Sequence, residues 1–304
     1  MLLSYSFSNF QSFRELTQVS TTVSEKVAPS DWLTTTSTGE RINKVIAVMG
    51  ANGSGKTTLL KPLVFLDWFI SHSFSQAPEA AIPFTPHFAT TNEATEFSAT
   101  AIYKGQIWKY VLRCIPERVI HEALYVKRER FKYVFVRDWD DSTQTYRIKQ
   151  QDFGFAPVEA RKVRANASLI STAAQYGIPL AKDMASSGLR SNITALGRQP
   201  LSQDLVLNAA AHFSQISEQR TIMARLLHDW DLGLSNVELE EISVAQPDGS
   251  NNKIWLPIGI HQTTSGPRRL NFLLESSGTQ AAMVLLSHLL PALQNGGIAV
   301  IDEF

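Results

Sequence analysis

The stretch Gly50-Ala51-Asn52-Gly53-Ser54-Gly55-Lys56-Thr57 constrains this chain more than any other. It fits G-x-x-x-x-G-K-[ST], a loop that wraps phosphate oxygens with its backbone amides. Amides converge on an anion only where the chain tolerates left-handed φ and close approach, which is why glycines recur. The flanks read consistently with this. Lys44–Met49 is a continuous apolar run, the mark of a buried central strand. Lys56–Ile70 carries Leu59, Leu60, Leu63, Leu66, Phe69 and Ile70 at helical spacing. A helix starting at the loop points its positive end at the same anion. In this reading Gly50, Asn52, Gly53, Ser54, Gly55, Lys56, Thr57 and Thr58 bind the nucleotide. Lys56 reaches the β- and γ-phosphates, and the Thr57 hydroxyl is placed to ligate Mg²⁺.

Two later segments supply partners for that loop. Ile298-Ala299-Val300-Ile301-Asp302-Glu303 is an apolar strand ending in two carboxylates. In P-loop ATPases an Asp at such a position holds Mg²⁺, and the neighbouring Glu can deprotonate the attacking water. Asp302 is therefore a metal ligand candidate and Glu303 a catalytic base, acting beside Lys56. Glu275-Ser276-Ser277-Gly278-Thr279-Gln280 precedes a helix spanning about 278–293. Read plainly, it is a Ser N-cap beside a Gly. Its hydroxyl and open amides also suit an anion offered by another subunit. Ser276, Ser277, Gly278 and Thr279 are the candidates for that role in trans.

Between these motifs the pattern changes twice. Leu2–Phe7 alternates as a strand and Thr17–Ser24 pairs with it. A run of strands follows: Phe97–Tyr103, Ile107–Cys114, Val119–Val126, Tyr133–Arg137 and Thr145–Lys149, an antiparallel meander turning at Lys104-Gly105 and Asp138–Thr143. Ala167–Leu232 reads as helical, best at Leu205–Ile216 and Arg220–Leu232. Strands return at Val237–Val244, Ile254–Ile260 and Arg269–Leu274. The division is a single head over 1–304, comprising a P-loop half (1–75), an antiparallel β region (77–150), a helical insertion (151–236) and a signature and acidic-strand half (237–304).

Composition narrows the function classes. Lys+Arg and Asp+Glu number 28 each, so the chain has no overall electrostatic grip on nucleic acid. Local clusters, Lys127–Lys132 and Arg161–Arg164, could contact it but read first as solvated faces. A single cysteine, Cys114, excludes an intrachain disulfide and suits a cytoplasmic protein. No apolar stretch approaches the roughly 20 residues of a membrane span. Histidines show no metal-site spacing. Trp68, Trp108, Trp230 and Trp255 are read as core residues.

The order of loop, long insertion, Ser-x-Gly helix start and acidic strand resembles that of ABC-type ATPases. More closely, the chain resembles the bacterial RloA-type, abortive-infection-type AAA/ABC ATPases, relatives of the RecF, SMC and OLD ATPases. The resemblance is carried by Ser8-Asn9-Phe10-Gln11-Ser12-Phe13, Met49–Ile70, Glu96-Phe97, Trp108-Lys109-Tyr110, Ala165–Ser171 and Glu275–Thr279. It implies an α/β fold, a RecF/SMC-like P-loop head with an antiparallel β subdomain and a helical insertion. It also implies ATP and Mg²⁺ as cofactors, homodimers or higher oligomers closing over sandwiched ATP, and an effector such as a nuclease. Antiphage defence or DNA transactions, with DNA or RNA contact, are the setting it suggests. Phe13 and Arg14 are candidates to approach the adenine, as N-terminal residues do in related heads. In the family, a dimer-contact loop and a γ-phosphate-sensing His follow the acidic strand. The sequence stops at Phe304, and the expectation is tight binding of ATP·Mg²⁺ with poor hydrolysis. A non-hydrolysing scaffold or sensor and a small-molecule P-loop kinase remain as alternatives.

Overall fold

The computed structural model describes residues 1–186, 188–230, 232–245 and 251–303. The chain forms two compact units, Met1–Leu189 with Ile193–Gly197, and Arg190–Asn192 with Arg198–Phe304. Among the described residues, no helix is long and apolar enough to cross a membrane.

The first unit is built on strands whose side chains alternate between core and surface. In β1 (Leu2–Ser8), Leu3, Tyr5 and Phe7 are buried while their neighbours are half-buried. β2 (Thr17–Ser20) pairs antiparallel with β1. β3 (Leu33–Thr35) and β4 (Arg41–Asn43) make a small separate hairpin. Then α1 (Lys56–His72) intervenes before the meander β5 (Thr95–Tyr103), β6 (Gln106–Ile115), β7 (Arg118–Lys127), β8 (Phe131–Asp140) and β9 (Thr145–Gln150). The resulting antiparallel sheet runs β2-β1-β5-β6-β7-β8-β9. The meander read from alternation is therefore present. Its β5–β6 turn places Lys104 and Gly105 at φ 48° and 72°, the left-handed pair of one class of two-residue hairpin.

Helix α1 packs on the sheet through aromatic contacts. Phe65 lies 4.7 Å from Phe97 and 5.8 Å from both Phe69 and Phe84, ring centre to ring centre. Tyr5 donates its phenol to the Leu59 carbonyl at 2.8 Å, inside the proline-interrupted part of α1, and burial pushes its pKa up. Burial of this kind contributes about 1.5–3 kcal/mol per large apolar side chain.

Across β7 and β8 the same unit holds a buried ion pair. Glu122 and Arg137 are both fully buried, 3.4 Å apart. Glu122 accepts from the Tyr110 hydroxyl (2.9 Å), the Ser168 hydroxyl (2.7 Å) and the Leu169 amide (3.0 Å). Arg137 donates to the carbonyls of Val163, Arg164 and Ala167 and lies over the Tyr146 ring, 3.8 Å from its centre. These contacts dock α2 (Pro157–Ala160) and α3 (Leu169–Gln175) on the sheet, with α4 (Pro179–Ala185) following. Burial and then the Glu122 charge push up the pKa values of Tyr110 and Cys114.

One expectation fails here. Lys44–Met49 is not a strand, and Val45 (60%), Ile46 (44%) and Met49 (90%) are exposed. An apolar run becomes a buried strand only where ladder partners flank it, and the sheet of this unit does not include it. The apolar pattern was correct, but pairing is a long-range property.

The second unit contains β10 (Leu189–Ser191), largely, then α5 (Gln203–Gln215), α6 (Ser217–Asp229), β11 (Asn236–Ala245), β12 (Asn251–Thr263) and β13 (Gly266–Asn271). It ends with α7 (Ser277–Asn295) and β14 (Ile298–Val300), the latter paired with β10. The antiparallel sheet β11-β12-β13 and the three helices enclose Phe213, Met223, Leu227, Phe272, Met283 and Leu286. Both anticipated helices and the last apolar strand are present. Gly296, at φ 75°, ends α7 in a left-handed cap and donates to the Ala292 carbonyl at 3.1 Å. Trp230 departs from expectation. It is the C-cap residue of α6 and 43% exposed.

Candidate functional site

The glycine-rich loop belongs to the first unit. Gly53 and Gly55 adopt φ 78° and 90°, which L side chains rarely tolerate. Gly55 is doubly constrained, because a Cβ there would lie 3.1 Å from Phe13 Cε2 and 3.2 Å from Ser12 Oγ. A Cβ at Gly50 would come within 2.7 Å of Ser54 Oγ. Gly55 then starts α1 with no side-chain cap. The first turn of a helix carries orphan amides, and the N-cap position here is Gly55, which has no side chain to offer them. The Lys56 ammonium donates to the Gly50 and Ala51 carbonyls, 2.9 Å each. It thus bridges the start of the loop with the beginning of the helix, holding a cation beside the loop amides. Left-handed glycines, an uncapped helix start and a cation fit a phosphate chain.

Other loop residues have their own placements. Asn52 and Ser54 are exposed, and Ser54 N donates to the Ala51 carbonyl at 3.2 Å. Thr57 is half-buried in the first helical turn. Thr58 donates its hydroxyl to Gln11 Oε1 at 3.3 Å, an atom that Lys61 also meets at 3.3 Å. The Thr58 side chain is thereby turned toward the N-terminal segment.

That segment, Ser8–Phe13, forms a knuckle behind the loop. Phe10 and Phe13 exchange backbone bonds at 2.8 and 2.9 Å, with Asn9 and Gln11 at positive φ. The buried Asn9 amide donates to the Thr90 and Glu93 carbonyls and accepts from His87 N and Thr90 Oγ1. Phe13 stands edge-on to Phe7, 5.3 Å between centres, and supports Gly55. The sequence marked this hexapeptide only by resemblance. Its physical role is to pack behind Gly55 of the glycine-rich loop. Arg14 is exposed and lies 3.9 Å from Glu15.

The remaining candidates belong to the second unit. Asp302 is 7% exposed, and its backbone is gripped from both sides by the Asn192 amide, at 2.8 and 2.9 Å. Glu303 takes φ 57°, and its carboxylate pairs with Arg198. Neither Asn192 nor Arg198 was anticipated, since each acts from more than a hundred residues away. Ser276 caps α7 by accepting from the Thr279 amide at 3.2 Å, and the two hydroxyls lie 2.9 Å apart. Ser277 and Gly278 are exposed, whereas Thr279 is buried. A Cβ at Gly278 would meet nothing nearer than Ser276 Oγ at 3.8 Å. Behind the segment, Glu275 Oε1 sits 2.6 Å from His261 Nε2, and a Cβ at Gly259 would be 2.6 Å from that same oxygen. Gly259 is what leaves room for the Glu275 carboxylate.

A sequence model of the family described as "AAA domain, putative AbiEii toxin, Type IV TA system" matches residues 45–304. Among solved structures, the SMC head domain from Thermotoga maritima matches at a TM-score of 0.38 and 12% identity, covering 99% of this chain and 77% of that one. No curated protein sequence matches the chain.

Proposed function

Because the chain belongs to the AAA family with the AbiEii-toxin description, with its α/β fold and AAA-type ATPase domain, we propose that it binds and hydrolyses ATP as a nucleotide-gated switch of the ABC type. The single observation that carries this reading is the loop Gly50–Thr57. Its left-handed glycines, uncapped α1 start and Lys56 ammonium form a cradle for a triphosphate. Thr57 and Asp302 are the proposed Mg²⁺ ligands, and Glu303 the proposed base. Bound Mg²⁺ would offset phosphate charge and orient the terminal phosphoryl group. The part of this chain is to hold the triphosphate by backbone amides, to place Lys56 on its outer oxygens and to present a carboxylate to water.

Ser276–Thr279 are proposed to meet the γ-phosphate held by another copy, giving a homodimer or higher oligomer gated by ATP. The family description supports a role in toxin–antitoxin biology, while antiphage defence or DNA transactions rest on motif resemblance. An RloA-like identity, an effector such as a nuclease, nucleic-acid contact and a cytoplasmic setting belong to the same proposal and rest on motif resemblance.

A second reading has its own observation. The Glu303 carboxylate is paired with Arg198, so the oxygen that would have to meet the attacking water is engaged by a side chain of the same chain. This favours a non-hydrolysing scaffold that uses ATP only to associate. Calorimetry and phosphate release separate the readings. Wild-type chain should bind Mg·ATP, and Lys56→Ala should bind it about 10–100-fold more weakly, the loss of a charge-assisted contact of about 1.5–3 kcal/mol. Equal affinities would sink the phosphate-cradle assignment. Tight binding with no phosphate release would favour the scaffold.

A further inference from the structure

In the second unit, a cleft of about 590 Å³ opens between α6 and β11. Arg220, Ala224 and Arg225 line it from the helix, a spacing that puts them on one side of α6. Asn236, Val237, Glu238 and Leu239 line it from the strand. Successive strand residues point to opposite faces of a sheet. A cleft reached by four consecutive residues therefore lies along the strand's edge, where backbone N–H and C=O groups are presented.

That edge is open. β11 pairs with β12 on one side, and no other strand pairs with it among the described residues. The carboxylates of β11 are already answered within their own sheet. Glu238 and Glu240 meet Arg269, and Glu241 meets Lys253 at 3.1 Å. Arg220 and Arg225 make no ion pair among the described residues. The cleft thus combines an unpaired strand edge, an apolar floor of Val237, Leu239 and Ala224, and two unanswered guanidinium groups on the helix wall.

We propose that this edge accepts an extended acidic peptide segment of a partner protein as an added strand. Main-chain bonds to β11 hold the guest in register, and carboxylates at alternate positions meet Arg220 and Arg225. Asn236–Leu239 spans about 13 Å at strand rise, so a guest of about four to six residues fills it. Guest positions on the opposite face meet Glu238 and Glu240, where an acidic side chain is disfavoured. The guest therefore alternates acidic with neutral or basic residues.

The test is fluorescence anisotropy of the full chain with a fluorescein-labelled peptide alternating Thr and Glu over eight residues. The peptide should bind, and an Arg220→Glu, Arg225→Glu double variant should bind it at least about tenfold more weakly, with circular dichroism reporting that the helices persist. N-methylating only the Glu residues, or only the Thr residues, keeps every carboxylate. One of these two peptides should lose binding and the other keep it, since only one parity of amides faces β11. Absence of binding, an unaffected double variant, or equal affinities of both methylated peptides would overturn the proposal. Displacement of the peptide by an eight-nucleotide oligo(dT), with the same arginine dependence, would overturn it in favour of a single-stranded nucleic-acid site.

Discussion

Two helix starts in the first unit meet the same demand in opposite ways. Every helix begins with amides that lack intrahelical partners. At α3 the chain supplies its own anion: Ser168 accepts from the Ile170 and Ser171 amides, and the Glu122 carboxylate takes the Leu169 amide and the Ser168 hydroxyl. At α1 the N-cap is Gly55, which has no side chain to offer, and the Lys56 ammonium rests on two carbonyls. Glu122 is to α3 what a phosphate would be to α1. The internal anion locks a helix onto a sheet, whereas the glycine N-cap of α1, with the Lys56 ammonium beside it, suits an anion that can come and go. A polar group with a permanent buried partner serves the fold, and one with a replaceable partner can serve a ligand.

Removing the internal anion should give the largest effect. Glu122→Ala leaves Arg137 fully buried without its counter-charge and the Leu169 amide at the start of α3 without its acceptor. Breaking a buried pair from one side costs about 3–5 kcal/mol. Urea melts should show that loss, with a midpoint lower than that of wild type and Lys56→Ala near wild type. If Glu122→Ala costs under about 1 kcal/mol, the network is not what docks α3, and the contrast between the two helix starts loses its energetic basis.

The same contrast explains what the sequence could and could not reveal. The Gly50–Thr57 loop was legible because its chemistry lies within contiguous residues at fixed spacing. The meander was legible because alternation repeats every second residue. Glu122 was not singled out within the strand Val119–Val126, although a charge buried in such a strand needs a partner. Its partners, though, come from Tyr110, Arg137 and Ser168, and no local pattern joins them. Lys44–Met49 failed for the complementary reason, since its composition was right for a strand but no strand of its unit pairs with it. Asn9, read only as part of a shared hexapeptide, proves to be the buried amide that ties four backbone and hydroxyl groups around residues 87–93. Asn192 and Arg198, which flank Asp302 and Glu303 in space, carried no signal at all in a single sequence.

The start of α7 stands between the two extremes and gives a smaller effect. Ser276 is exposed, yet its hydroxyl already caps the Thr279 amide. Ser276→Ala should cost about 1 kcal/mol through the lost cap. If the hydroxyl also serves another copy's nucleotide, ATP-dependent association measured by analytical ultracentrifugation should weaken in Ser276→Ala. Ser276→Gly, which costs only a few tenths of a kcal/mol as a cap, should weaken association as much. Association that follows cap strength rather than the hydroxyl would place Ser276 with α3, as a structural cap alone.

The smallest expected effect concerns a group in α7 whose shift owes nothing to an anion and is driven first by burial. His288 is half-buried, and burial, followed by the charges of Arg190 and His212, lowers its pKa below the ordinary histidine value. Its neutral form is therefore the one the folded second unit accommodates. The unfolded chain takes up the proton first as pH falls through about 6.5. In that window the unfolded state binds more protons, so stability rises with pH and is lost on acidification. His288→Gln removes the titration while keeping a polar side chain of similar reach. The wild-type urea midpoint should fall more between pH 7.5 and pH 5.5 than that of His288→Gln. Arg190 and His212 make the sign sharp: were a carboxylate the dominant neighbour, the imidazolium would be favoured and the trend would reverse. Parallel pH profiles for the two proteins would mean that His288 does not titrate differently on unfolding, and that its burial costs the charged form little.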